Sequence, residues 1–272
     1  MDTARLIVPH WYGAGDERIG EGCQILQRTL AAGDAKVIAA VEADVVSKHG
    51  VRDYERVLAS QRAIRQAVEE LRPGAIYALG GDCGIEVPIV SYLSRLYENN
   101  IAVVWIDAHA DANTPQSSPS GLFHGMPVRC LCGEGDQDIC ATAFSIVPCS
   151  LFAYFGTRQF DSDEAGWISQ HEIPVTDTAA DLLRALRIGN RKFAYIHVDL
   201  DVLEPSEFAH VACPTCGGRT IVEIASVLEA ISHEFQIVGA TFVECTARTS
   251  EDLKPIQPLL QWWNNTSGAT GT

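Results

Sequence analysis

Six apolar runs punctuate the chain, at residues 6–8, 75–79, 101–106, 151–154, 193–198 and 237–243. They are too continuous to be strands with one wet face and read instead as strands covered on both faces, as in a parallel sheet. Between them apolar positions recur at helical spacing. Over 53–71, Tyr54, Val57, Leu58, Ile64, Val68 and Leu71 fall on one stripe, while Glu55, Arg62, Arg65 and Glu69 occupy the others. That spacing predicts a helix lying on a sheet. Strand-helix alternation along the whole chain predicts an α/β fold, a mostly parallel sheet flanked by helices on both faces, with ligands bound beyond the carboxyl ends of the strands. No internal repeat and no Pro/Ser/Gly linker divides the sequence, so one domain is expected over 1–272, with 264–272 as a disordered tail.

Composition narrows the chemistry. At 272 residues and 47% hydrophobic content the chain can bury one large core. A formal charge of −15, with no basic cluster to relieve it, excludes nucleic acid as a natural partner and points to a small molecule. No early cationic segment precedes an apolar stretch, and no apolar run reaches membrane-spanning length, so the expectation is a cytoplasmic protein with no membrane contact. Nine cysteines, an odd number without an export signal, suit reduced thiols better than a disulfide framework. Cys213-Pro-Thr-Cys216 stands alone, and Cys130-Leu-Cys132 has the wrong spacing to complete a four-thiolate zinc site with it.

The apolar run Val104-Trp105-Ile106 ends in Asp107-Ala-His109-Ala-Asp111, which gathers two carboxylates and an imidazole at one strand end. A second run ends in Asp199-Leu-Asp201, whose acids, two residues apart, face the same side because side chains alternate along a strand. Four acids converging in a low dielectric repel one another unless cations lie between them. These positions therefore call for bound metal.

Taken in order, Gly80-Gly81-Asp82-Cys83, Asp107-Ala-His109-Ala-Asp111 and Asp199-Leu-Asp201-Val-Leu-Glu204-Pro205 make the chain resemble the ureohydrolase family, which includes arginases, agmatinases and formiminoglutamases. The resemblance spans about 7–247, and the loop 111–127 is more similar to arginases than to agmatinases. It implies an α/β sheet flanked by helices, a two-manganese centre, hydrolysis of a guanidino group to urea and an amine by a metal-bridging hydroxide, and a homo-oligomer, trimer or hexamer. Position by position it implies that Asp107 and Asp199 bridge the metals, that Asp111 completes one site with Cys83 and is itself counted among the catalytic groups, and that His109 and Asp201 complete the other. Hard carboxylate oxygens with an occasional imidazole suit Mn²⁺. The resemblance further implies that Glu244 holds the guanidinium by charge-assisted hydrogen bonds and that His124 shuttles the proton to the departing amine. Asn113, Ser118 and Ser120 match residues around a substrate α-carboxylate, and Asp161 an acid near the α-ammonium. Arginine or a close α-amino acid analogue is the implied substrate.

The chief departure is Cys83, where most of the family places a metal-binding histidine. A thiolate is softer than Mn²⁺ prefers, so the first metal is expected to bind more weakly or to admit Zn²⁺ or Fe²⁺. Some relatives that hydrolyse Nω-hydroxy-arginine are similar in carrying Cys here, which makes that substrate, giving hydroxyurea and ornithine, the rival to arginine. Leu122 replaces a polar residue of the carboxylate loop and Cys213 a threonine near the guanidinium, while Glu204 for the usual aspartate before Pro205 keeps the charge. A catalytically silent homologue that lost one cation through Cys83 is the third reading. His197, on the face of Asp199, and His10, at the end of the first strand, read as structural residues.

Overall fold

The protein was obtained as a computed structural model that describes residues 2–30 and 34–268. Its strands are β1 (Thr3–Val8), β2 (Lys36–Val37), β3 (Ala75–Gly80), β4 (Ile101–Ile106), β5 (Phe152–Phe155), β6 (Val175–Thr176), β7 (Phe193–Asp199) and β8 (Gln236–Val243). They form one sheet in the order β2-β1-β3-β8-β7-β4-β5-β6, and every pairing is parallel. The six apolar runs are therefore strands, as the pattern indicates. The two strands it does not mark, β2 and β6, are two-residue edge pieces, too short to carry any periodicity.

The helices are α1 (Arg18–Thr29), α2 (Tyr54–Leu71), α3 (Glu86–Leu96), α4 (Pro127–Leu131), α5 (Gln137–Cys140), α6 (Ser162–Gln170), α7 (Ala179–Ile188), α8 (Ile221–Glu234) and α9 (Gln257–Ser267). Alternate strand residues separate the core into two layers. Trp105, Tyr154 and Tyr195 pack with Val57 of α2, Ile89 of α3 and Trp167 of α6, whereas Val104, Phe155 and Ile196 pack with Leu26 of α1, Leu182 of α7, Leu228 of α8 and Trp263 of α9. The six longer strands thus lose both faces to helices, which is why their sequences are nearly continuously apolar. No helix among the described residues is long and apolar enough to cross a membrane.

The expected tail needs correction. Residues 264–267 continue α9, whose Leu259, Leu260, Trp262 and Trp263 are buried, with the Trp263 ring edge-on to Tyr77. Two tryptophans at the end of the chain cover enough apolar surface to hold the segment down. The rest of the expected tail, 269–272, lies outside the described residues.

Candidate active site

Register decides the site. β4 pairs with β7 so that Ile106 lies beside Val198, and β7 pairs with β8 so that Val198 lies beside Phe242 and Asp199 beside Val243. β3 pairs with β8 with Leu79 beside Phe242. Four neighbouring strands therefore end at one level, and the residues that follow, Cys83 after β3, Asp107 after β4, Asp199 at the end of β7 and Glu244 after β8, meet over the middle of the sheet. The turn after β3 needs Gly81, because a Cβ there would sit 1.7 Å from the carbonyl oxygen of His10, which accepts the Asp82 N–H at 2.9 Å. Asp82 then accepts the Gly84 N–H at 2.8 Å and fixes the 3₁₀ turn that presents Cys83.

Of the residues singled out in the sequence, Cys83, His109, Asp111, Asn113, Ser118, Ser120, His124, Asp161, Asp199, Asp201 and Glu244 line one cavity, joined by Cys213 and Glu164. Asp107 lies beneath them and is fully buried. The His109 ring donates from Nδ1 to Asp201 at 2.9 Å and stands 3.6 Å from Asp107. The Cys83 thiol donates to Asp199 at 3.3 Å. Backbone amides hold the acids in place: His109 N–H donates to Asp107 at 2.6 Å, and Asp201 N–H to Asp199 at 2.7 Å. Glu244 Oε1 accepts the Cys83 N–H at 3.2 Å and His124 Nδ1 at 3.1 Å, while its Oε2 is buried without a hydrogen bond among the described residues. Arg158 makes no contact with Glu244 among those observed and donates to the carbonyls of Gly156, Asp201, Val202, Thr215 and Cys216.

The outer wall is polar. Asn113 donates to Asp161 at 2.8 Å, and the Ser118 and Ser120 hydroxyls, 3.3 Å apart, accept the N–H groups of Gly121 and Leu122. Asp161 is also the N-cap of α6, where its N–H donates to Glu164. Glu164 accepts the Ala112 N–H at 2.8 Å as well, and so ties the loop of Asp111 to α6. Sequence reasoning gave Glu164 no role, although its position three residues after Asp161 is a capping-box signal. His124 sits in a 3₁₀ turn, and the helix beyond it begins at Pro127. His10 donates from Nε2 to the Ala39 carbonyl at 2.9 Å and meets the Ser60 hydroxyl through Nδ1, and it is not among the residues that line the cavity.

The charges are mutually hostile without a cation. Burial, and then the neighbouring acids, raise Asp111 and Asp199 well above the usual carboxylate range and push Asp201 up to about 6. Burial also raises the Cys83 thiol, reinforced by Asp111 and Asp199. Burial works against ionised Asp107 too, but the rings of His109 and His197 overcome it and hold this acid low. For His109, Asp107 and Asp201 outweigh burial and push it up to about 12. For His124, burial is outweighed by Glu244, and its pKa is raised. The residues fit divalent metal. Oxygen donors dominate, Asp111 Oδ2 is buried without a hydrogen bond among the described residues, and donor atoms of Cys83, Asp107, Asp111 and His197, and of Asp107, His109 and Asp201, converge within 4.8 Å of one another.

The chain matches the Arginase family over residues 19–253. It is 30% identical over 250 residues to an arginase of Staphylococcus aureus (strain MRSA252), covering 86% of this chain and 78% of that relative. Among solved structures it is similar in fold to the native arginase of Bacillus caldovelox, with a TM-score of 0.83 at 22% identity over 100% of this chain and 99% of that one. It is similar in fold also to the Entamoeba histolytica arginase in complex with L-ornithine, with a TM-score of 0.82 at 21% identity over 95% and 98% of the two chains.

Proposed function

From the premise that this chain belongs to the arginase family, and so is a hydrolase of guanidino C–N bonds, we propose that it cleaves arginine or a close α-amino acid analogue with two manganese ions. Asp107 and Asp199 would help hold both ions, with Cys83 and Asp111 at one and His109 and Asp201 at the other. When bound, the metals supply Lewis-acid activation of water. The observation that carries the substrate reading is that one cavity is lined both by Glu244, whose Oε2 is buried without a hydrogen bond among the described residues, and by Asn113, Ser118, Ser120 and Asp161.

The protein groups divide the work. Glu244 Oε2 takes the guanidinium by a charge-assisted hydrogen bond and orients its carbon toward the acids. Cleavage releases the amine only once its nitrogen is protonated. His124, kept protonated by Glu244, donates that proton, while its contact through Nδ1 leaves Nε2 facing away from the carboxylate. Ser118 and Ser120 each accept a loop amide and share one hydrogen bond between their hydroxyls, which leaves the other hydroxyl hydrogen for a substrate carboxylate. Asp161, oriented by Asn113, meets the ammonium.

Two observations favour Nω-hydroxy-arginine as the second reading. Cys213 and Cys83 both line the cavity together with Glu244, so two small, weakly polar side chains would be available to the nitrogen that carries the hydroxyl. The deciding assay incubates manganese-loaded protein with arginine, Nω-hydroxy-arginine, agmatine and guanidinobutyrate, and measures urea, hydroxyurea and amine. One of the two α-amino acids should be the best substrate; preference for agmatine or guanidinobutyrate would remove the clamp assigned to Asn113, Ser118, Ser120 and Asp161.

A further inference from the structure

Cys83 leaves the site one imidazole short of the pattern it resembles, and the fold brings another from below. His197 lies on β7 two residues before Asp199 and is fully buried. Its Nδ1 donates to Glu86 Oε1 at 2.8 Å. Glu86, also fully buried, opens α3 directly after the turn of Cys83, and its other oxygen accepts the Tyr195 hydroxyl at 2.6 Å. Trp105 stacks on the imidazole with ring centroids 3.7 Å apart and planes 16° from parallel, which prevents the ring from swinging away. A carboxylate on one ring nitrogen fixes the proton there and leaves the lone pair on the other. That other nitrogen, Nε2, is buried with no hydrogen bond among the described residues. Asp107 Oδ2 stands 3.5 Å from it, longer than an ordinary hydrogen bond; with Glu86 it raises the ring's affinity for a second proton in the metal-free protein, a proton that a metal at Nε2 would displace. A ring nitrogen of His197 lies within 4.8 Å of Cys83 Sγ and of carboxylate oxygens of Asp107 and Asp111, and Nε2 is the one that Glu86 leaves unengaged.

We propose that His197 is a ligand of the metal held by Cys83, Asp107 and Asp111, an imidazole supplied by β7 where position 83 offers a thiol; this rests on the reading of the chain as a metal-dependent guanidino hydrolase. Glu86 is then a positioning residue, which aims the ring and raises its basicity through Nδ1. The arrangement gives this site a sulfur and a nitrogen donor, whereas the site of Asp107, His109 and Asp201 has one nitrogen and no sulfur. The two sites should therefore differ in metal preference, the first leaning toward Zn²⁺ or Fe²⁺.

The test uses the full chain loaded with Mn²⁺. Bound metal is measured by equilibrium dialysis with elemental analysis, and nitrogen ligation by electron spin echo modulation of the bound Mn²⁺. His109→Asn should keep nitrogen modulation, and His109→Asn with His197→Asn should lose it. His197→Asn should weaken one site by about tenfold or more, and Glu86→Gln, which keeps the shape of the network, should weaken the same site by about tenfold. In a Cys83→His background, where the family imidazole is restored, the cost of His197→Asn should shrink below about threefold. Loss of all nitrogen modulation in His109→Asn alone overturns the proposal. So does unchanged Mn²⁺ retention in Glu86→Gln, which decides the matter even where His197→Asn fails to fold. Wild-type protein that binds no Mn²⁺ overturns the proposed function as well; wild-type protein that binds two ions, with both variants doing the same, overturns only the role of His197.

Discussion

Two of the acids stand on unfavourable backbone. Asp111 and Glu244 have φ of 51° and 63°, a left-handed conformation that costs a non-glycine residue about 1–3 kcal/mol. Both are buried, so the fold spends stability twice at each, once on the backbone and once on the carboxylate. Such spending is retained where a group must point in one direction. The residue-level expectation is a trade between stability and function. Asp199→Asn removes one like charge from the cluster, so the metal-free protein should gain stability on the order of 1 kcal/mol while the manganese-induced gain shrinks. Thermal unfolding with and without Mn²⁺ reads both; a lower metal-free midpoint in the variant would mean that the acids do not oppose one another. Glu244→Gln keeps the hydrogen-bonding shape but loses the charge, and kcat/KM should fall by about 10- to 100-fold with the midpoint little changed. Steady-state urea release measures this, and an unchanged kcat/KM would take the guanidinium away from Glu244.

At the scale of elements, the strands and the ligand-bearing turns were legible because each is a local pattern: a doubly covered apolar run, then acids at spacing two. What was not legible depends on partners distant in sequence. Glu86 meets His197 from 111 residues away, so the sequence showed only a histidine on the face of Asp199 and no reason for it to be aimed. The end of the chain was misread for a different reason. Its polar Asn264, Asn265 and Thr266 suggested solvent, but Pro258 at the helix start and Leu259, Leu260, Trp262 and Trp263 at helical spacing outweigh them. Trp263→Ala should accordingly cost about 3–5 kcal/mol, seen as a lower denaturant midpoint; a loss below 1 kcal/mol, roughly the range of a surface substitution, would make α9 peripheral. The turn after β3 gives a sharper test of how an element positions chemistry. With no space for a Cβ against the His10 carbonyl, Gly81→Ala must displace either β1 or the turn of Cys83. Manganese retention should drop together with stability. A variant that binds Mn²⁺ as wild type does would show that the turn can move without carrying its ligand along.

For the molecule as a whole, the acid cluster ties stability to pH in a direction opposite to that of most proteins. Asp201 is pushed up to about 6, with Asp111 and Asp199 raised further, and Asp82 is pushed up to about 7 by burial and by Glu244. In the unfolded chain these carboxyls ionise near pH 4. A carboxyl raised by folding contributes stability that is complete below its unfolded value and is lost as pH climbs through its folded value. His109, pushed up to about 12, adds in the same sense above its unfolded value near 6.5. The metal-free protein should therefore lose stability continuously from about pH 4 to beyond pH 7. Asp107 and other carboxyls held low, such as Asp136, oppose this only at the acid end, since their contribution is lost as pH falls below their unfolded values, while His10, lowered by burial, opposes it near its unfolded value of about 6.5. Manganese favours the ionised acids and displaces protons, so the midpoint gain on adding Mn²⁺ should grow with pH over the same window. The net charge of −15 also destabilises the fold as pH rises, but that repulsion acts through solvent and is screened by salt, whereas the buried cluster is not. Unfolding curves at about 0.5 M salt, where the Debye length is a few ångströms, isolate the buried part. If the Mn²⁺-dependent gain there is flat between about pH 5 and pH 8, the convergence of acids does not govern the stability of this protein, and the case that metal completes the fold as well as the site is lost.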